Sequence, residues 1–341
     1  MNPDSSVPFS LLDLASVTEG GTPSESFRRT VELARHAEQW GYNRFWLAEH
    51  HGMPGIASSA TSVLIGHVAS ATSTIRVGSG GIMLPNHAPL VIAEQFGTLE
   101  SLYPGRIDLG LGRAPGSDQA VSRVLRRGLG AGGEDFPALL DELMAYFDSE
   151  SSNAVGIVRA IPGEGLRIPI WLLGSSGFSA QLAGRLGLPF AFASHFAPDY
   201  LLPALELYRS NFRPSKALEK PYAMVGVSVT AADTEQAARR LATSGQQVFL
   251  NMIRGRFGLL PPPVDSMEGL WTPYEEAALN KQFGFAVVGD KEQVKQRLQA
   301  VLDETAADEL IIASQIFDQG ERLRSYELIA EVRTELRKRI V

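Results

Sequence analysis

Short apolar or alternating runs recur along this chain, each followed by a longer run whose apolar positions repeat at helical spacing. Phe9–Ala15 (FSLLDLA) reads as a strand. Ser24–Trp40 reads as a helix with Phe27, Val31, Leu33, Ala34, Ala37 and Trp40 near helical spacing and Gly41 as its stop. Arg44–His51 (RFWLAEHH) is a second strand, before a helix over Ser59–Ala71. Ile75–Leu84 (IRVGSGGIML) is a third, before a helix that opens on Pro89 and runs to Tyr103. Arg106–Gly112 (RIDLGLG) is a fourth. From Ala114 to Arg167 the rhythm weakens, with a helix at Phe136–Phe147 between loop-like Leu129–Glu134 and Ser149–Gly156. It returns with strands at Ile170–Leu173, Pro189–Ala193 and Tyr222–Thr230, followed by helices over Ser179–Leu186, Asp199–Phe212 and Thr234–Asn251. Met252–Asn280 is irregular, and Pro261-Pro262-Pro263 cannot lie inside a helix. A helix over Asp290–Glu304 and a strand at Glu309–Ala313 follow. The closing helix, Gln319–Ile340, is striped by Leu323, Leu328, Val332 and Leu336.

Eight strand-plus-helix units without a composition break predict one domain over residues 1–341. Alternating units imply an α/β fold with a parallel sheet, and eight of them close into a (β/α)8 TIM barrel with insertions. The rival is an open doubly wound sheet with Gly-x-Gly-x-x-Gly after its first strand. Gly110-Leu111-Gly112-Arg113-Ala114-Pro115-Gly116 comes nearest, with the wrong spacing and no helix directly behind it.

Composition narrows the partners. A net charge of −7 argues against nucleic acid or an anionic membrane, since both reward clustered cations. The chain has no cysteine, which removes disulfides, thiolate metal sites and thiol nucleophiles. With neither a secretory leader pattern nor a membrane-length apolar run, a cytoplasmic protein is expected.

In a barrel of this kind the chemistry gathers at the C-terminal strand ends. Glu49-His50-His51 puts a carboxylate beside two imidazoles there. Strand alternation turns Glu49 and His51 to one side and His50 to the other. Adjacent residues cannot converge on one ion and no His-Glu-x-x-His occurs, so no metal site is expected. Gly78-Ser79-Gly80-Gly81 fits a bulge, a strained peptide or the close approach of a ligand. Arg113 is either a solvated charge or an anion clamp. Gly174-Ser175-Ser176-Gly177-Phe178-Ser179 runs into a helix, where its hydroxyls cap the N-terminus or hold a phosphate. His195 could line the same mouth, His36 and His67 fall within helices, and the role of His87 stays open.

These strand ends, in this order, resemble the bacterial luciferase-like flavin monooxygenase family. The matching stretches are Phe45–His51 (FWLAEHH), Val77–Pro89 (VGSGGIMLPNHAP), Gln95–Gly112 (QFGTLESLYPGRIDLGLG), Ile170–Pro189 and Val288–Asp318. The resemblance implies an eight-stranded barrel binding FMN, or alternatively a deazaflavin coenzyme, at its mouth. It implies an active-site role for His50 with Glu49 beside it, and a cis peptide at Gly80-Gly81 under the flavin ring. It further implies that Arg113, Gly174, Ser175, Ser176 and Ser179 surround the flavin phosphate. Reduced FMN would come from a separate reductase, and the protein would be a homodimer that uses dioxygen to oxidise a small organic molecule. The alternatives are a deazaflavin-dependent dehydrogenase or reductase on the same barrel and a catalytically idle flavin-binding protein. Luciferase itself has a cysteine where this chain has Gly112, and its long mobile loop has no obvious counterpart here. Light emission is therefore not implied.

Overall fold

The structure, a computed structural model, describes residues 7–114, 116, 119–126, 133–149 and 158–337. Its strands are β1 (Phe9–Asp13), β2 (Arg44–Leu47), β3 (Arg76–Ser79), β4 (Ile82–Met83), β5 (Ile107–Gly112), β6 (Ile170–Gly174), β7 (Phe190–Phe192), β8 (Ala223–Ala231), β9 (Val287–Gly289) and β10 (Glu309–Ala313). The helices are α1 (Pro23–Gln39), α2 (Thr61–Ser70), α3 (Pro89–Leu102), α4 (Gln119–Arg126), α5 (Phe136–Phe147), α6 (Gly177–Leu186), α7 (Leu201–Asn211), α8 (Glu235–Ile253), α9 (Pro273–Gln282), α10 (Lys291–Thr305) and α11 (Gln319–Arg333). All the strand pairings are parallel. β1, β2, β3, β5, β6, β7, β8 and β10 pair in that order, and β10 returns to β1. The result is a closed eight-stranded barrel with helices outside it.

Two layers of side chains pack against the barrel wall, one outside and one inside it. Strand residues facing the helices, such as Phe45, Val77, Leu109 and Val225, belong to the large outer core. Leu12, Trp46, Trp171, Met224 and Ile311 pack inside the ring. Trp46 meets Trp171 edge-on at 5.2 Å between ring centroids, and Arg44 lies 4.8 Å over the Trp171 ring. At the N-terminal end of the barrel, buried Asp108 accepts from Arg44 (2.6 Å), Arg76 (2.6 Å) and the Trp46 indole (3.2 Å). Glu309 accepts from Asn43, Arg44, Tyr222 and Ser10. With that end plugged by paired charges and aromatic rings, the opposite end is left for ligands.

Five expectations need correction. The strand over Ile75–Leu84 is broken into β3 and β4, because the chain bulges at Gly80–Gly81, whose peptide is cis. Helix α4 lies inside Ala114–Arg167, where no helix before Phe136 was expected. The irregular stretch 252–280 contains most of α9, whose buried face is little more than Leu279, so no apolar stripe announces it. β9 was not expected either. It has three residues and pairs with the outer end of β8, beyond the ring. The closing helix ends at Arg333, short of Ile340, which lies outside the described residues.

Candidate active site

The end of β2 divides its side chains by strand parity. Glu49 turns into the wall of the mouth and is 1% exposed. Its carboxylate accepts from the Met83 amide (3.0 Å) and Asn86 Nδ2 (3.4 Å), and it pairs with His51 Nε2 (2.8 Å) and His87 Nε2 (2.9 Å). Burial alone would raise this pKa. The bonds from His51 and His87 outweigh it and bring Glu49 down to about 2, so the group is ionised. The donor atoms of Glu49, His51 and His87 lie within 4.8 Å of one another. The claim that neighbouring residues cannot converge on one ion is therefore corrected, since the third donor comes from the loop after β4. In this structure the carboxylate's acceptor capacity is taken up by four protein donors. His87, left open by the sequence, is placed here.

His50 faces the other way. Its Nδ1 is sealed and without a partner, and the Gly116 carbonyl acts on the ring. Burial holds its pKa below the usual histidine value, so the imidazole is neutral near pH 7. His51 donates its backbone N–H to Gly116 O at 3.2 Å. Gly116 has φ of +63°, and a Cβ there would lie 2.8 Å from the Glu49 carbonyl, so glycine is required.

The glycines near the cis peptide answer to packing. A Cβ on Gly80 would come 2.7 Å from Leu12 Cδ1, and one on Gly81 2.8 Å from Gly110 O. These contacts show tight strand packing around Gly80 and Gly81.

The β6–α6 junction gathers the expected anion donors. Ser176 is the N-cap of α6, yet its side chain makes no capping bond, which leaves N–H groups at the helix start open. Ser175 is half-buried and Ser176 exposed. Ser179 is buried one turn on, so close to Gly174 that a Cβ there would sit 2.7 Å from the serine's own. Arg113 arrives from the end of β5 and lies 4.5 Å over the ring of Phe178, in the first turn of α6. A guanidinium, two accessible hydroxyls and a helix N-terminus together make a donor set suited to a phosphate.

The fold and this set of strand ends agree with one family, and its model, luciferase-like monooxygenase, matches residues 7–309. The chain belongs to the luciferase-like monooxygenase family. A luciferase-like monooxygenase of Escherichia coli K12 is 56% identical over 98% of this chain and 99% of its own. The N-acetyl-S-alkylcysteine monooxygenase of Bacillus subtilis is 32% identical over 95% and 97%. Among solved structures, apo-MsnO8 superposes with a TM-score of 0.86 at 37% identity, covering 98% of this chain and all of that one. Two further structures share the fold alone. The oxygenating part of 3,6-diketocamphane monooxygenase of Pseudomonas putida, in complex with FMN, has TM-score 0.71 at 18% identity and covers 98% of this chain and all of its own. An F420-dependent secondary alcohol dehydrogenase has 0.64 at 13%, covering 96% and 99%. Membership in this oxidoreductase family makes a flavin or deazaflavin the expected cofactor. Among the described residues no helix is long and apolar enough to cross a membrane.

A groove of about 1520 Å³ with mixed lining runs between α8, α9 and β9, and Ser228 and Gln315 are among its lining residues. Ser228 lies two residues beyond Gly226, on the barrel-facing side of β8. Sequence reasoning missed α9, which borders this groove and whose Gln282 donates to the Phe196 carbonyl (3.0 Å) at the mouth.

Proposed function

We propose that this protein is a monooxygenase that takes up reduced FMN from a separate reductase and uses dioxygen to oxidise a small organic substrate at the barrel mouth. The observation that carries the reading is the open N-terminus of α6 with Arg113 stacked on its first turn. Ser175, Ser176, Ser179, the Gly174 junction and Arg113 would hold the phosphate. Gly80 and Gly81 would floor the ring, and neutral His50, turned away from ionised Glu49 toward the mouth, would hold or move one proton. Bound reduced flavin supplies the electrons that activate dioxygen, and a mouth closed on the far side by packed rings limits water. In this reading the chain is a single-domain cytoplasmic homodimer. The 32% identical relative's name makes N-acylated thioethers the first substrates to try.

The test is an anaerobic titration with reduced FMN, oxidised FMN and a deazaflavin. It is run on the parent and on Ser175→Ala/Ser176→Ala/Ser179→Ala. Reduced FMN should bind best, and the triple variant should bind more weakly by about 1.5–3 kcal/mol for each charge-assisted bond lost. Equal affinity in the two proteins would put the phosphate elsewhere. Preference for the deazaflavin would favour a hydride-transferring dehydrogenase on the same barrel.

A further inference from the structure

His195 follows β7 and stands over the same mouth as His50. β2 and β7 are four strands apart in either direction round the ring, so groups at their ends meet only across the barrel axis. His50 shares the strand parity of Trp46 and Ala48, which pack inside the ring, and His195 Nδ1 lies against Gly226 on the barrel-facing side of β8, so both residues face the barrel interior. The two nitrogens of His195 have different surroundings. Nδ1 is sealed and has no hydrogen-bond partner. It lies against Gly226 of β8, where a Cβ would collide with it. The preceding residue, Ser194, donates from Oγ to the Gly226 carbonyl at 2.5 Å and fastens the turn to β8. The ring as a whole is only half-buried, and Nε2 is neither sealed nor bonded.

This asymmetry fixes the proton. A sealed N–H without an acceptor would forfeit a full hydrogen bond, whereas a lone pair against a glycine Cα costs less. The proton therefore sits on Nε2. Burial, and after it the nearby His50, pushes the pKa of His195 down to about 4, so the ring carries no charge near neutral pH.

We propose that His195 is a further binding residue of the mouth, presenting Nε2–H as an uncharged donor to a carbonyl-type oxygen of the molecule that reacts beside His50. Gly226 and Ser194 hold the ring in that orientation. The acceptor is a ring carbonyl of the flavin or a carbonyl of the organic substrate. The first source rests on the flavin reading above, and the second does not.

The experiment uses protein labelled with ¹⁵N-histidine, with the His195 signal assigned by its loss in His195→Asn. In flavin-free protein the spectrum should show a protonated Nε2 and an unprotonated Nδ1. The sample is then titrated separately with oxidised FMN and with acetamide, a plain carbonyl acceptor. A shift of Nε2 with FMN identifies the flavin as the source, and a shift with acetamide alone identifies the substrate region. A Gly226→Ala variant that keeps the parent's melting temperature should lose either response. A proton on Nδ1, or an Nε2 that answers neither probe, overturns the proposal. Failure of the flavin reading has a separate signature, because FMN then leaves every histidine signal unmoved while the tautomer of His195 is unchanged.

Discussion

Glu49, His50 and His51 carry different duties because strand geometry turns neighbours to opposite sides. That much was legible from the period of two. His87 was not, because its partner lies 38 residues away in sequence and only the chain's path after β4 joins them. The consequence is a pair of variants with opposite costs. His50→Ala removes a group with no protein partner at Nδ1, so folding and flavin affinity should stay near the parent's. Turnover should fall by about 10²–10⁴-fold, with more reduced flavin spent on releasing hydrogen peroxide. His51→Ala deprives buried Glu49 of a donor and should cost about 1–3 kcal/mol of stability while disturbing turnover less. Urea unfolding and product-to-peroxide ratios check both. A larger loss of turnover in His51→Ala would exchange the two roles.

At the scale of elements, each barrel strand was foreshadowed by a compact apolar run, since strands buried on both faces leave a continuous signal. The failures have physical causes. β9 is too short to show a period, and α9 carries hardly any buried face. A capping box was available to find α9: Thr272 accepts from the Glu275 amide, the Glu275 side chain returns the bond, and Pro273 opens the helix. The glycine-rich strand ends were harder to read. Glycine admits a ligand or a neighbouring backbone equally well, and here Gly81 faces the Gly110 carbonyl. The hydroxyl-rich start of α6 read either as a capped helix or as a phosphate site, and Arg113, read with it, comes there in the structure by stacking on Phe178.

The whole molecule closes through its first and last units. β10 pairs with β1, and Arg322 of α11 reaches Asp13 at 2.7 Å while Thr30 of α1 donates to the same carboxylate at 2.7 Å. Its acid stability reports the mouth. Burial, then His50, depress the pKa of His195 to about 4 from an ordinary 6.5, and Glu49 stands at about 2 against 4.5. In both cases the unfolded chain binds protons that the native one refuses. The stability is therefore whole above pH 6.5, falls toward pH 4 through His195, with His50 acting in the same direction, and falls again between 4.5 and 2 through Glu49. The His195 share should be on the order of 3 kcal/mol. Urea midpoints for His195→Asn should accordingly fall less steeply from pH 6.5 to 4 than the parent's, and parallel slopes would refute the assignment. The central claim, that the mouth between His50 and α6 is a flavin site, is tested most directly by determining the crystal structure with FMN. The account predicts the phosphate at the N-terminus of α6, within hydrogen-bond reach of Ser176 and Arg113, and the ring over Gly80–Gly81 beside His50. A phosphate bound anywhere else, with that N-terminus left to solvent, would contradict it.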